Sequence, residues 1–246
     1  MFKPVILIPC YNHSDAFANF AISLCKVNIP VIVIDDGSES KQSQKLRRIC
    51  SEHGFKYVHK CHNSGKGGAM KQGFVVALEL GYTHGLQIDA DGQHNADDIP
   101  KFIKLAENNP DALIIGTPVY DSGAPKSRLI GRKITNFWVM IETMNRHMPD
   151  AMCGFRVYPL DITAKVVRHI LFNRMGFDIE ILVKLYWSRV SVIKQETHVI
   201  YPQGGLSNFK MLRDNIHIAL LHTYLCAIMP IWMIKRIFKR KKRLEV

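Results

Sequence analysis

Asp89 and Asp91, separated by Ala90 and followed by Gly92-Gln93-His94, are the residues of this 246-residue chain whose types and spacing point most directly to chemistry. The apolar run Gly85-Leu86-Gln87-Ile88 before them predicts a buried strand, so both carboxylates stand where the backbone turns at a strand end. Paired there, they can face one hard divalent cation, Mg2+ or Mn2+, which prefers oxygen ligands and keeps positions open for phosphate oxygens. Such a cation takes up the charge of a departing diphosphate. An isolated Asp-x-Asp is more often a solvated turn, because Asp and Gly are common turn formers. The strand that ends at this one favours a metal and diphosphate site built from Asp89 and Asp91.

Other polar clusters recur at equivalent places. Asp35-Asp36-Gly37-Ser38 follows the run Val31-Ile32-Val33-Ile34, and an acidic residue there is placed to accept hydrogen bonds from a ribose or a base. Pro9, Tyr11 and Asn12 follow the apolar residues 5–8. Asn63-Ser64-Gly65-Lys66-Gly67-Gly68-Ala69 opens a helical stretch, where glycines let backbone amides approach phosphate and Lys66 adds charge. Its spacing matches neither a Walker loop nor a dinucleotide fingerprint.

Placing these clusters requires strands at residues 5–8, 31–34, 55–58, 85–88 and 112–116. Helices are predicted over residues 15–26 with Ser14 as N-cap, 41–53, 68–80 and 97–108. Repeated strand-helix units of this kind predict an α/β fold, an open and mostly parallel sheet with helices on both faces. Ligands bind such sheets at the carboxyl ends of the strands, so one crevice can collect Tyr11-Asn12, Asp35-Asp36 and Asp89-Ala90-Asp91. Beyond Gly116 the pattern becomes an amphipathic helix over 126–144, an irregular stretch around Cys153-Gly154-Phe155-Arg156, a helix pair and a strand-like 190–193, the expected acceptor side.

Taken in order, Ile8-Pro9-Cys10-Tyr11-Asn12, Val33 to Ser38, Asn63 to Gly67 and Asp89 to His94 resemble the motifs of family-2 glycosyltransferases of GT-A fold. Asp150-Ala151-Met152-Cys153-Gly154-Phe155-Arg156, Phe177-Asp178-Ile179-Glu180-Ile181-Leu182 and Gly204-Gly205-Leu206-Ser207-Asn208-Phe209 are similar to the polyprenyl- and dolichyl-phosphate branch. The resemblance covers about residues 3–215 and implies an inverting, metal-dependent transferase acting on a nucleotide-sugar donor. It places Pro9, Tyr11, Asn12, Asp36, Lys66, Asp89 and Ala90 at the nucleotide sugar and Asp89, Asp91 and Gln93 at the metal. The implied acceptor is a lipid phosphate or a glycolipid. His13, Pro118 and Ser207-Asn208 depart from the dolichyl-phosphate mannose synthase pattern, which has Glu, Arg and Ser-Lys there, and the donor sugar stays open. A nucleotidyltransferase on a similar sheet, or a catalytically silent membrane-docked scaffold, is the alternative.

Asp178 and Glu180 stand where many family-2 enzymes carry a catalytic carboxylate. A hydroxyl acceptor needs such a base, whereas a phosphate is already ionised. Residues two apart on a helix face different sides, so only one of the pair is expected in the cleft. Arg128, Arg132, Lys133 and Arg156 are candidates to hold an acceptor phosphate.

The net charge of +12 is concentrated in Lys235, Arg236, Lys239, Arg240, Lys241, Lys242 and Arg243, which follow nineteen residues, 216–234, without Lys, Arg, Asp or Glu. Residues 1–215 therefore form the expected catalytic domain, and 216–246 an amphipathic helix with a basic tail. A single span would separate the catalytic domain from the basic tail, although both belong on the cytoplasmic side, so an interfacial or re-entrant helix is expected. Anionic head groups are the expected partner, not nucleic acid, since one aromatic accompanies the charges and no nucleic-acid module appears. Six scattered cysteines without a Cys-x-x-Cys pair, and an N-terminus lacking a signal-like apolar core, point to a reduced, cytoplasmic protein peripheral on the inner face of the membrane.

Overall fold

The computed structural model describes residues 1–120, 126–199 and 211–244, the last ten of these by backbone alone. The motif at residues 204–209, the Arg128 side chain and the basic side chains after Ile234 lie outside the described residues. Seven strands, β1 Pro4–Cys10, β2 Val31–Asp35, β3 Lys56–His59, β4 His84–Gln87, β5 Ala112–Tyr120, β6 Arg156–Pro159 and β7 Ser191–Val199, form one sheet in the order β3-β2-β1-β4-β6-β5-β7. All run the same way except β6, which pairs antiparallel with both β4 and β5.

Eight α-helices accompany the strands: α1 Ser14–Leu24, α2 Ser40–Glu52, α3 Lys66–Glu79, α4 Ile99–Asn108, α5 Lys126–Thr143, α6 Leu160–Val167, α7 Phe177–Trp187 and α8 Met211–Leu244. Side chains alternate across a strand, so β1 sends Val5 and Leu7 to one face and Ile6 and Ile8 to the other, all fully buried. Val5 and Leu7 join a core closed by α3, α5, α6, α7 and α8, and Ile6 and Ile8 join one closed by α1, α2 and α4. A sheet covered on both faces requires apolar residues on both, which is why its central strands read as continuous apolar runs rather than alternating ones.

Three details differ from the sequence expectations. Ser14 is the first helical residue instead of the cap, and its hydroxyl donates to Gln42 Oε1. The stretch after Cys153 is not irregular throughout, because Arg156 opens β6. The expected division after residue 215 falls inside α8, whose Ile218, Leu221 and Leu225 are part of the core beside α7. Burial in that core fixes the first turns of α8 to the catalytic domain.

Phe74 on α3 is fully buried and packs edge-on to Tyr158 with ring centroids 5.1 Å apart. Phe74→Ala is expected to cost about 3–5 kcal/mol, because the cavity it leaves can relax only in part. At about 2–4 °C per kcal/mol for a domain of this size, a melting curve should shift down by roughly 6–20 °C.

Candidate active site

A cavity of about 1510 Å³ opens at the carboxyl edge of the sheet, lined by Pro9, Tyr11, Asp36, Lys66, Asp89, Ala90, Asp91, Gln93 and Asp178. The parallel strands β1, β2 and β4 deliver their carboxyl ends there. β6 runs the other way, so its beginning reaches the same edge and brings Cys153, Gly154 and Arg156 beside Asp89. Packing is close at that junction: a Cβ on Gly154 would lie 2.5 Å from Asp89 Oδ2 and 2.6 Å from Lys66 Nζ. Only glycine lets this loop pass the two charges.

Lys66 opens α3 and holds its ammonium between two carboxylates, 2.7 Å from Asp89 Oδ1 and 2.8 Å from Asp178 Oδ2. Burial works against that charge, but Asp178 and Asp89 outweigh it and hold the ammonium above the ordinary lysine range. Burial likewise would raise the Asp178 carboxyl, yet Lys66, Arg156 and a hydrogen bond from Gln87 Nε2 at 2.9 Å hold it below the ordinary carboxylate range. Tyr158 in turn donates to Gln87 Oε1 at 3.2 Å, fixing which amide atom faces Asp178. Asp178 is therefore an ionised, firmly held carboxylate.

Asp91 behaves differently. Burial and the charge of Asp89 both push its carboxyl up, against one backbone hydrogen bond from Gln93. With Lys66 on Asp89 Oδ1 and Gln93 N–H on Asp91 Oδ1, the second oxygen of each carboxylate has no hydrogen-bond donor among those found in the described residues. That leaves an all-oxygen pair with excess negative charge, which fits a hard divalent cation completed by ligands from outside the protein. Among the described residues there is no group of three or more His, Cys, Asp and Glu side chains that would enclose a metal by itself.

The glycine loop before α3 is held from β2. Asp36 accepts from Ser64 N, Ser64 Oγ and Gly65 N, the last at 2.7 Å, with Lys60 3.8 Å away. Gly65 adopts φ +85, a region that side chains disfavour, and its amide turns onto Asp36. Asp36 lines the cavity but spends its oxygens on this loop. Its neighbour Asp35 faces away and accepts from Ser38, Ser43 and Tyr57.

Not every residue expected at the site is there. Asn12 takes φ 54 and ties two loops together, its Oδ1 accepting from Glu39 N and its N–H donating to Ser38 Oγ, away from the cavity wall. Glu180 is also turned away, fully buried, with one oxygen 2.6 Å from Lys184 Nζ and both receiving backbone N–H groups of Leu171 and Phe172. The two-residue offset on α7 predicted such a split. Arg156 is fully buried and donates to the carbonyls of Cys153, Ala151 and Asp178, so it holds the junction and offers nothing to an acceptor. Lys133 is exposed and off the cavity wall, whereas Arg132 lines it, 2.7 Å from Asp150 and over the Tyr120 ring. Sequence reasoning missed Arg174 and Arg213, both on the wall, and no local pattern singles them out; Asn63 of the glycine loop is on the wall too, and its buried Oδ1 has no hydrogen-bond partner among the described residues.

A seven-stranded sheet in this order, with paired carboxylates at its carboxyl edge, has the GT-A fold. Glucosyl-3-phosphoglycerate synthase from Mycobacterium tuberculosis in complex with uridine diphosphate superimposes with a TM-score of 0.69 at 13% identity, covering 92% of this chain and 80% of that one. The same enzyme in complex with Mn2+, UDP-glucose and phosphoglyceric acid gives an equal TM-score, 0.69. The family model described as glycosyl transferase family 2 matches residues 5–163, and the chain belongs to that family. It is a glycosyltransferase. Dolichyl-phosphate beta-glucosyltransferase of Saccharomyces cerevisiae is 25% identical over 242 residues, 87% of this chain and 71% of that protein. Undecaprenyl-phosphate mannosyltransferase of Micrococcus luteus is 23% identical over 216 residues, 85% and 87% of the two chains.

Asp178 and Glu180 should separate in their effects. Glu180→Ala strands the buried Lys184 ammonium and is expected to cost about 3–5 kcal/mol of stability, with turnover per folded molecule unchanged. Asp178→Asn removes a charge from the Lys66 bridge and should lower kcat more than it lowers the melting point. Activity normalised to the folded fraction distinguishes the two; equal loss of turnover in both would contradict the placement of Glu180.

Proposed function

We propose that this chain is an inverting, metal-dependent transferase that moves a sugar from a nucleoside-diphosphate donor onto a lipid phosphate at a membrane surface. The observation that carries the acceptor reading is the state of Asp178. As the cavity-wall carboxylate nearest the role of base, it is held ionised by Lys66, Arg156 and Gln87, and a carboxyl of lowered pKa is a weak base. A phosphate oxygen arrives already ionised and needs no proton removed. The names of the dolichyl- and undecaprenyl-phosphate relatives support the same acceptor class.

Pro9, Tyr11, Asn63 and the loop held by Asp36 wall the donor end. Asp89 and Asp91 would hold Mg2+ or Mn2+, with Gln93 beside them; a bound cation there supplies positive charge to the leaving diphosphate. The Mn2+ and UDP-glucose held by the structural relative support this assignment. Lys66 fixes the orientation of Asp89 and, through Asp178, keeps α7 against the donor end. Attack of the acceptor oxygen on the anomeric carbon, opposite the departing diphosphate, inverts that carbon.

The membrane reading rests on a second set of residues. Ile130, Ile134, Phe137, Trp138 and Ile141 recur at helical spacing on α5 and are exposed, as are Ile216, Leu220, Ile231 and Ile234 on α8. Part of α8, Arg213–Trp232, is long and apolar enough by length and composition to cross a membrane. With its early residues in the core, we assign α8 an interfacial position, the outward faces of α5 and α8 in the apolar boundary and the basic residues from Lys235 on anionic head groups at the cytoplasmic face. Residues 216–246 would then be the membrane-associated part of the chain.

Asp91→Asn should lower transfer about a thousandfold or more, since several kcal/mol of leaving-group stabilisation go with the charge and each 1.36 kcal/mol is tenfold. Its melting point should not fall, because the repulsion with Asp89 is relieved. Release of nucleoside diphosphate with Mn2+ present, against an EDTA control, reads this; wild-type turnover in the variant would remove the metal assignment.

Truncation after Ile234 should leave transfer in detergent intact while weakening binding to anionic vesicles. Charge attraction is screened over about 8 Å at physiological salt, so the full-length protein should also detach as salt rises. Equal co-sedimentation of both forms would show the basic residues to be only solvated.

A further inference from the structure

The cavity continues past the donor end into an arm between α5 and α8, walled by Ile134, Trp138, Ile218 and Cys226. His222 on α8 also lines this arm and is 5% exposed. Its Nδ1 lies 2.7 Å from Oε1 of Glu142, a fully buried carboxyl on α5, and its ring stacks with Trp138 at 6.2 Å between centroids. Its other nitrogen, Nε2, is buried with no hydrogen-bond partner among the described residues.

Nε2 carries a hydrogen in two forms of the pair: imidazolium beside carboxylate, or neutral imidazole beside carboxylic acid. In the first, both ring nitrogens carry hydrogen. In the second, the acid O–H donates to Nδ1 and the ring hydrogen sits on Nε2. In both of these Nε2 is a donor, and an anionic oxygen placed at Nε2 favours them over the neutral ring that carries its hydrogen on Nδ1. Burial raises the Glu142 carboxyl while the hydrogen bond and charge of His222 oppose the rise. A buried N–H without a partner is costly unless something entering the cavity accepts from it.

We propose that His222, positioned by Glu142, is an acceptor-recognition residue whose Nε2–H donates to an anionic oxygen of the lipid phosphate while the apolar body of the lipid lies along α5 and α8. This rests on the lipid-phosphate reading above. Glu142 fixes the ring through Nδ1 and Trp138 stacks on it, so Nε2 is the ring nitrogen left without a partner in a residue of the arm's wall.

The test compares the affinity of the full chain, in detergent, for a short-chain polyprenyl monophosphate and for its parent alcohol. A pair that merely joined α5 to α8 would affect both ligands alike, so the ratio of the two is the informative quantity. The wild type should prefer the phosphate. His222→Phe keeps the ring packing and removes the donor; it should lose at least tenfold in that preference, with alcohol affinity within about twofold of wild type. His222→Gln, which retains an N–H donor, should recover part of it. The double variant Glu142→Leu with His222→Phe leaves no buried group unpaired, so it should fold even where the single variant does not, and it should lack the preference as well. An undiminished preference in His222→Phe or in the double variant overturns the role of His222 and leaves the acceptor reading standing. A wild type that does not prefer the phosphate overturns both.

Discussion

The ammonium of Lys66, held 2.7 Å from Asp89 and 2.8 Å from Asp178, is the interaction on which the rest of the site depends. It joins the end of β4, the start of α3 and the start of α7 through one charge. Two carboxylates facing one cavity would repel and take up protons; Lys66 keeps Asp178 ionised and leaves the excess negative charge on Asp91. The arrangement is fixed from outside as well, by Gln87 and Tyr158 on one side and by Asp36 gripping the loop that leads into Lys66 on the other.

The antiparallel strand β6 supplies the second constraint. Were it parallel to its neighbours, Arg156 and the loop before it would enter the sheet at the edge away from the cavity. Reversed, they enter beside Asp89, and the fully buried Arg156 bonds three backbone carbonyls, one of them Asp178 O. A guanidinium with five donors in a rigid fork suits that task. Helices α5 and α8 are then hung from this junction: they meet the sheet through α7, leaving between them the arm that contains Glu142 and His222.

Much of this was legible in the sequence because burial on both faces forces an uninterrupted apolar run, as in residues 31–34, and because polar residues at the end of such a run must fall at one edge. Three strand-end clusters thus predicted one crevice. β6 was not legible: it has four residues, one of them Arg156, and owes its existence to pairing with strands far away in the sequence. The offset between Asp178 and Glu180 predicted that one would leave the cleft, but which one depends on how α7 docks. Asn12 looked like a ligand-binding residue because it stands at a strand end; its left-handed backbone and two loop hydrogen bonds show a local tie. Glu142 and His222, 80 positions apart, carry no shared local signal at all.

Sequence separation also sets the order in which the site can form. The strands β1 and β2 and helices α1 to α3 close through near neighbours, whereas Gln87 meets Asp178 across 91 positions and Thr197 meets Asp98 across 99. Loop closure over such distances follows local structure in time, because its entropy is repaid only once the partners are already in place. During synthesis, Asp89 and Asp91 leave the ribosome after Lys66 but well before α7 brings Asp178, the second partner of that ammonium. The pair of Lys66 with Asp89 can therefore form before the bridge to Asp178 closes, and the complete arrangement arises late. The bridge of one ammonium to two carboxylates is accordingly a property of the completed chain, not of its N-terminal half.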